Sequence, residues 1–389
     1  MTRDERRAGV ALAAIFGLRM LGLFLILPVF AVFARTFPGG GDAVMIGVAL
    51  GAYGATQALF QIPYGMASDR LGRKPVIIAG LLIFAAGSFL AAAAPDIYWL
   101  IGGRVLQGMG AISAAVTALA ADLTREQHRT KVMAMIGSTI GLVFAASLIG
   151  APILYAAIGM SGIFMLTGGL ALAAILLLVR AVPAAPPLPA AVERPRFAEV
   201  LFDGQLGRMN FGVLALHLMQ TAMWVLVPPL LVASGLPLAE HWKIYLPAVL
   251  ASFAVMVPVI IYAERRSQLK PVFLAAILLL ILVQAGLMVV TDGVYAIGLL
   301  LMLFFVGFNL MEALQPSLIS RLAPAAAKGA AMGIYNTTQS IGVAMGGVLG
   351  GWLLKHFGIA AVHGFCVALS TLWLALAAGM RAPARRTSS

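Results

Sequence analysis

The chain is short of charge, and shortest of acids. Of its 389 residues only 10% are charged, with 14 Asp and Glu against 26 Lys and Arg. A soluble domain carries roughly a quarter charged residues, so this composition excludes an ordinary water-exposed surface. One cysteine, Cys366, excludes an intramolecular disulfide. There is no HExxH, no nucleophile elbow and a single histidine deep in apolar sequence, His217. A membrane-embedded enzyme usually shows a catalytic constellation at that depth, so enzyme chemistry has no foothold here. An output domain of the kind a sensor needs is not expected.

Apolar sequence is what the chain has instead. Hydrophobic residues make up 62% of it. They recur in runs of about 20 residues, each enough to cross a bilayer core as a helix. Lipid leaves every backbone group to be satisfied internally, so helices or a closed barrel are the options. The runs are too long and too evenly apolar for barrel strands. Twelve spans follow, at 9–33, 44–66, 75–94, 97–121, 132–157, 161–181, 206–232, 243–263, 271–290, 294–319, 329–354 and 358–380. The first is too long for a signal-peptide core and reads as a retained span. Residues 182–203 hold Pro183, Pro186, Pro187, Pro189 and Pro195, a semi-extended linker. The expected fold is therefore an all-α integral membrane protein of two six-helix bundles, 1–181 and 204–389. The halves repeat weakly: Lys131, Met135 and Gly150 match Lys328, Met332 and Gly347 at an offset of 197 residues (328 − 131).

The net charge of +12 could suggest nucleic acid, but its placement argues otherwise. Twenty-one of the 26 Lys and Arg fall on the side of the two termini, three (Arg35, Lys243, Lys355) on the other side, and two inside spans. The positive-inside rule then puts both termini in the cytoplasm, in a bacterial-type cytoplasmic (inner) membrane, and leaves no charge for a nucleic-acid partner.

The most detailed stretch is Gly65-Met66-Ala67-Ser68-Asp69-Arg70-Leu71-Gly72-Arg73-Lys74-Pro75, between spans 2 and 3. It is expected to form a turn at one membrane face. Gly65 and Gly72 permit unusual backbone geometry, Pro75 suits the first turn of the next helix, and Asp69 and Arg73 can pair four residues apart. Span 4 carries Arg104-Val105-Leu106-Gln107-Gly108-Met109-Gly110-Ala111 and ends in Asp122. These two stretches resemble the signature motifs of the major facilitator superfamily, G-x-x-x-D-R-x-G-R-K and R-x-x-Q-G-x-G-A, each in the matching place. Phe16-x-x-Arg19-Met20-Leu21-Gly22 and Phe308-Asn309-Leu310-Met311-Glu312-Ala313-Leu314 look like the YajR-type subgroup of drug/proton antiporters. The resemblance covers nearly the whole chain. Family antiporters often carry a Gly-Pro dipeptide in span 5, where this chain reads Gly150-Ala151-Pro152. Subgroup relatives can add a small soluble domain after the last span; with nine residues beyond span 12, none is expected here.

The resemblance implies a secondary active transporter working by alternating access, with proton-coupled efflux of a small drug-like compound. A proton symporter or a uniporter of a metabolite is the alternative. It also implies a cytoplasmic gate in which Asp69, Arg73 and Asp122 form a charge relay, with Gly65, Arg70, Gly72 and Lys74 shaping the loop. Four ionisable residues lie deep in the spans: Arg19, Arg104, His217 and Glu312, in spans 1, 4, 7 and 10. In this family those helices line the central cavity. Glu312 is the one acid of the fourteen inside a span, so it is expected to carry the coupled proton, helped by His217 and biased by Arg19 and Arg104. Gln57, Gln107, Gln220, Trp224, Phe305, Asn309 and Gln339 are the expected substrate-cavity residues, an amide and aromatic lining that suits a moderately lipophilic compound. No cofactor is expected, the proton gradient being the energy source. The expected partners are a small-molecule substrate, protons and the lipid bilayer, and the protein is expected to be a monomer.

Overall fold

The structure, a computed structural model, describes residues 1–183, 200–290, 292–324 and 327–380. Most of the linker and the basic tail after residue 380 lie outside these. Among the described residues there are helices and no strands. Twelve helices follow in order: α1 Arg3–Phe24, α2 Leu27–Thr36, α3 Ala43–Leu71, α4 Arg73–Ala92, α5 Ile97–Met109, α6 Ser113–Asp122, α7 Glu126–Ala181, α8 Gly204–Ala233, α9 Trp242–Arg265, α10 Leu269–Val289, α11 Val294–Leu322 and α12 Lys328–Ala378.

Helices and membrane crossings do not map one to one. Among the described residues the long apolar helical runs number ten, and two of them, Lys131–Ala181 and Gly329–Ala378, are about twice the length of a single crossing. Each of the two breaks at one glycine with non-helical backbone: Gly159 (φ 66°, ψ −178°) and Gly358 (φ 80°, ψ −178°). The first break falls between the expected spans 5 and 6, and the second on Gly358, the first residue of the expected span 12. Ten runs, two counting double, give the twelve crossings. The same backbone device therefore stands at matching points in the two halves, which strengthens the weak sequence repeat.

Two single spans are broken instead. Span 1 is α1 plus α2, parted at Leu25–Ile26 just before Pro28, which has no N–H to continue the ladder. Span 4 is α5 plus α6, parted at Gly110–Ile112. At that break a Cβ on Gly110 would stand 2.5 Å from the carbonyl oxygen of Gly80, so the chain bends where only glycine fits. The scarce acids outside the site do local work. Asp42, Asp96 and Asp203 each accept backbone N–H bonds at the start of α3, α5 and α8.

The two halves touch most closely along α3 and the first part of α12. Gly47, Gly51 and Gly54 face Ser340, Ala344, Gly347 and Gly351, so close that a Cβ on Gly47 would meet the Gly347 carbonyl oxygen at 2.1 Å. Asp42 and Lys355 close the same end with an ion pair at 2.6 Å. That end is the face away from the termini.

Candidate functional site

The signature stretch is helical for most of its length. α3 runs on to Leu71 and α4 starts at Arg73, so the expected turn is a one-residue hinge at Gly72 (φ 93°, ψ 151°). Gly65 keeps helical geometry inside α3, no proline stands between it and Gly72, and Gly72 alone supplies the positive φ. Across this hinge the Arg73 guanidinium is nearly buried and makes three bonds. Its Nε donates to Asp122 Oδ2 at 2.9 Å, and its Nη1 donates to Ser68 Oγ at 2.7 Å and to Asp69 Oδ1. Lys74 donates from Nζ to the Val182 carbonyl, tying the hinge to the end of α7. Gly65 lies inside α3 beside Ala114, and Arg70 is exposed. One guanidinium thus bridges two carboxylates. All of these partners belong to the first half, so the cluster braces α3, α4, α6 and α7 as a unit.

At mid-depth in the second half, His217 of α8 and Glu312 of α11 meet. Glu312 Oε1 is 3.4 Å from His217 Nε2, and Gln339 Nε2 of α12 is 2.6 Å from the same nitrogen. His217 Nδ1 lies 3.0 Å from the Val213 carbonyl oxygen. A carbonyl can only accept, so Nδ1–H donates to it and Nε2 is the atom of the ring that titrates. With Nε2 unprotonated, Gln339 donates to it. With Nε2 protonated, it faces the carboxylate. Glu312 Oε1 is buried and has no hydrogen-bond partner among the described residues. Three helices therefore bring together one acid, one imidazole and one amide that can hold or pass a single proton.

The two arginines sit elsewhere, in the first half. Arg19 donates to Tyr53 Oη at 2.8 Å and to Ser113 Oγ at 3.2 Å. Arg104 donates from Nε to the Ala49 carbonyl and from Nη1 to Gln107 Oε1 at 2.7 Å, and its guanidinium lies 5.0 Å from the centre of the Tyr53 ring. Their hydrogen bonds go to these neutral groups and not to Glu312.

The expected cavity residues divide. Gln220, Trp224 and Phe305 line one small apolar pocket with Met223, Val227 and Phe304. Gln57 is half-buried on α3. Gln107 is fully buried with both ends used, accepting from Arg104 and donating to Ser88 Oγ at 2.8 Å. Asn309 donates to Ser252 Oγ at 2.9 Å and joins α11 to α9. An aromatic chain crosses between the halves: Phe24 packs edge-on to Phe144, and Phe144 reaches Phe305 and Phe308, the latter beside His217. Sequence reasoning missed Ser68, Ser88 and Ser113. Ser68 stood next to Asp69 in a polar run and was findable. The other two are single hydroxyls in apolar helices, where a packing serine reads the same.

A family model described as Major Facilitator Superfamily matches residues 12–346. The inner membrane transport protein YajR of Escherichia coli K12 is 44% identical over 98% of this chain and 85% of its own length. The multidrug resistance protein MdtH of Aeromonas hydrophila is 28% identical, covering 96% of this chain and 92% of its own. Among solved structures, a bacterial homologue of the human lysosomal transporter Spinster superposes with a TM-score of 0.75 at 13% identity, over 97% of this chain and 96% of that one. Relatives by sequence and by fold are transporters, not enzymes. The match along most of its length, on twelve crossings with both signature stretches in place, means that the chain belongs to the major facilitator superfamily.

Proposed function

We propose that this transporter exports a small, moderately lipophilic organic compound in exchange for protons, by alternating access. The observation that carries the reading is the meeting of Glu312, His217 and Gln339 at mid-depth, beside the Trp224–Phe305 pocket. A titrating pair next to a small, aromatic-lined apolar pocket lets proton and compound compete for one conformational equilibrium, and each shifts it only by its differential affinity for the two end states. Two six-helix bundles rocking about a midplane site is an established architecture for such coupling. The name of MdtH, a multidrug resistance protein, supports the drug-like class of the cargo. The excess of Lys and Arg on the terminus side supports cytoplasmic termini in the inner membrane. The protein works as a monomer and takes no cofactor, with protons, cargo and lipid as its partners. Asp69, Arg73 and Asp122 brace the first bundle at its cytoplasmic end as it rocks.

The test is proton release from purified protein in detergent on adding candidate lipophilic compounds, with Glu312→Gln alongside. Wild type should release protons on binding, and Glu312→Gln should bind without release. Release from both proteins removes Glu312 as the carrier. Binding without release in either points to a uniporter.

A further inference from the structure

Arg19 and Arg104 are each 1% exposed and neither touches a carboxylate. The acids of the first half whose side chains are described are all engaged elsewhere: Glu5 with Arg125, Asp42 with Lys355, Asp69 and Asp122 with Arg73, and Asp96 at the start of α5. Two cations therefore converge on Tyr53, one on its hydroxyl and one on its ring face, with no counter-ion. A buried charge without a partner is strongly unfavourable. Arg19 Nε is moreover buried with no hydrogen-bond partner.

The break in span 4 brings a second source of positive potential to the same place. α6 starts at Ser113 with no side chain capping it. Helix geometry leaves the first-turn N–H groups of Ser113, Ala114 and Ala115 without intrahelical acceptors. Its first residue is the one that accepts from Arg19. A half-helix N-terminus inside the membrane, beside an arginine, is suited to a negative charge.

We propose that Arg19, Tyr53, Ser113 and the first turn of α6 form a seat for one small anion within the first half. Arg104 strengthens it through its charge behind the Tyr53 ring. The chemistry is that of a monovalent anion held by a guanidinium, a hydroxyl and backbone N–H groups. Its source is either a free halide or the carboxylate of a transported compound. The seat makes the first half demand a negative group while the second half offers a titrating acid, so a cargo bearing a carboxylate would engage both halves at once.

The test is thermal unfolding of the purified full chain in detergent. Sodium bromide or sodium acetate is titrated against sodium isethionate at constant ionic strength, for wild type, Arg19→Gln and Ser113→Ala. Wild type should show a saturable rise in melting temperature. The half-saturating concentration should rise about tenfold in Ser113→Ala, the loss of one bond to a charged ligand. The effect should vanish in Arg19→Gln. A response to bromide assigns the seat to a free halide, and a response to acetate alone assigns it to a cargo carboxylate. Identical melting in all three salts for wild type overturns the proposal, as does an undiminished response in Arg19→Gln. If Arg19→Gln aggregates, Ser113→Ala decides, and an unmoved half-point sinks the seat. The assay reads binding without transport, so its failure leaves the proton-coupled reading standing.

Discussion

Arg73 shows why residue type matters more than charge at the hinge. Its planar fork reaches Asp69, Ser68 and Asp122 from one side chain, whereas a lysine has one compact head on a flexible stem. Arg73→Lys keeps the charge and loses at least one carboxylate. The two acids then face each other less well neutralised. Asp69 is nearly half exposed, so solvent screens part of the cost. A loss of about 1–2 kcal/mol is expected, read as a lower denaturant midpoint at unchanged slope. Gln107 makes a second residue-scale case. The sequence presents it as a polar residue on a cavity helix. In the fold both its amide ends are consumed by Arg104 and Ser88. Gln107→Leu strips a buried cation of an acceptor, at about 1–3 kcal/mol. We expect lower thermal stability with an unchanged substrate profile. A changed profile at unchanged stability would return Gln107 to the cavity.

α12 is the element on which the halves meet, and its glycines explain how. Gly342, Gly346 and Gly350 press on Leu214, Leu218 and Ala222 of α8, in its own half. Gly347 and Gly351, one position on, press on α3 of the other half. A helix with small residues on two adjoining faces packs backbone to backbone on both sides. Gly51→Leu would drive a side chain into the Ala344 carbonyl, which stands 2.5 Å from a Cβ at that position. The α3–α12 contact should open while each half stays folded. Protease or thiol-reagent access to Ala43 replaced by Cys reports this: labelling should rise several-fold over the same cysteine in the parent, and equal labelling would mean that the contact is not what closes that face. How much of this the sequence disclosed depends on the physics of each feature. Apolar length dictates crossings, so the spans were legible; the junction at Gly159 fell between expected spans, whereas that at Gly358 lay on the first residue of the expected span 12. The resemblance grouped Asp69 and Arg73 with Asp122 of span 4, and in the fold Arg73 bonds both carboxylates. The breaks at Leu25–Ile26 and Gly110–Ile112 were not legible. They arise from close contact with another helix, and a glycine in an apolar run carries no mark of what presses on it. The partners of Arg19 and Arg104 were hidden for the same reason: spacing along one helix says nothing of which neighbour supplies the acceptor.

At the scale of the molecule, the two faces are held differently. On the face away from the termini, glycine contacts and the Asp42–Lys355 pair join the halves, and among the described residues this is the one ion pair that crosses between them. On the terminus side the Arg73 cluster closes within the first half. A Cβ on Gly137, Gly141, Gly329 or Gly333, near the terminus-side ends of α7 and α12, would meet nothing within 4 Å. The molecule is thus clamped at one end, and no such glycine contact is made at these four positions on the other. Asp42 makes the clamp sensitive to acid. The hydrogen bond from Lys355 and the backbone N–H of Val44 hold its carboxyl below the usual value of about 3.9. A depressed value means that the charged form is favoured in the clamped state. The contribution is therefore fully present above about pH 4 and fades as pH falls through the lower clamped-state value. Both side chains are partly exposed, so the pair contributes at most about 1 kcal/mol, roughly a fivefold change in the ratio of clamped to open molecules. Spin labels on Gly41→Cys and Phe357→Cys measure that ratio as a distance distribution. At pH 7 the wild-type background should give one short population, and a longer one should grow in below pH 4. Asp42→Asn should show the longer population already at pH 7 and respond little to acid, and added salt should move wild type in the same direction at neutral pH. A wild-type distribution unchanged between pH 7 and pH 3.5 would leave the glycine contacts as the whole of the clamp, and the Asp42–Lys355 pair would carry no proton sensitivity.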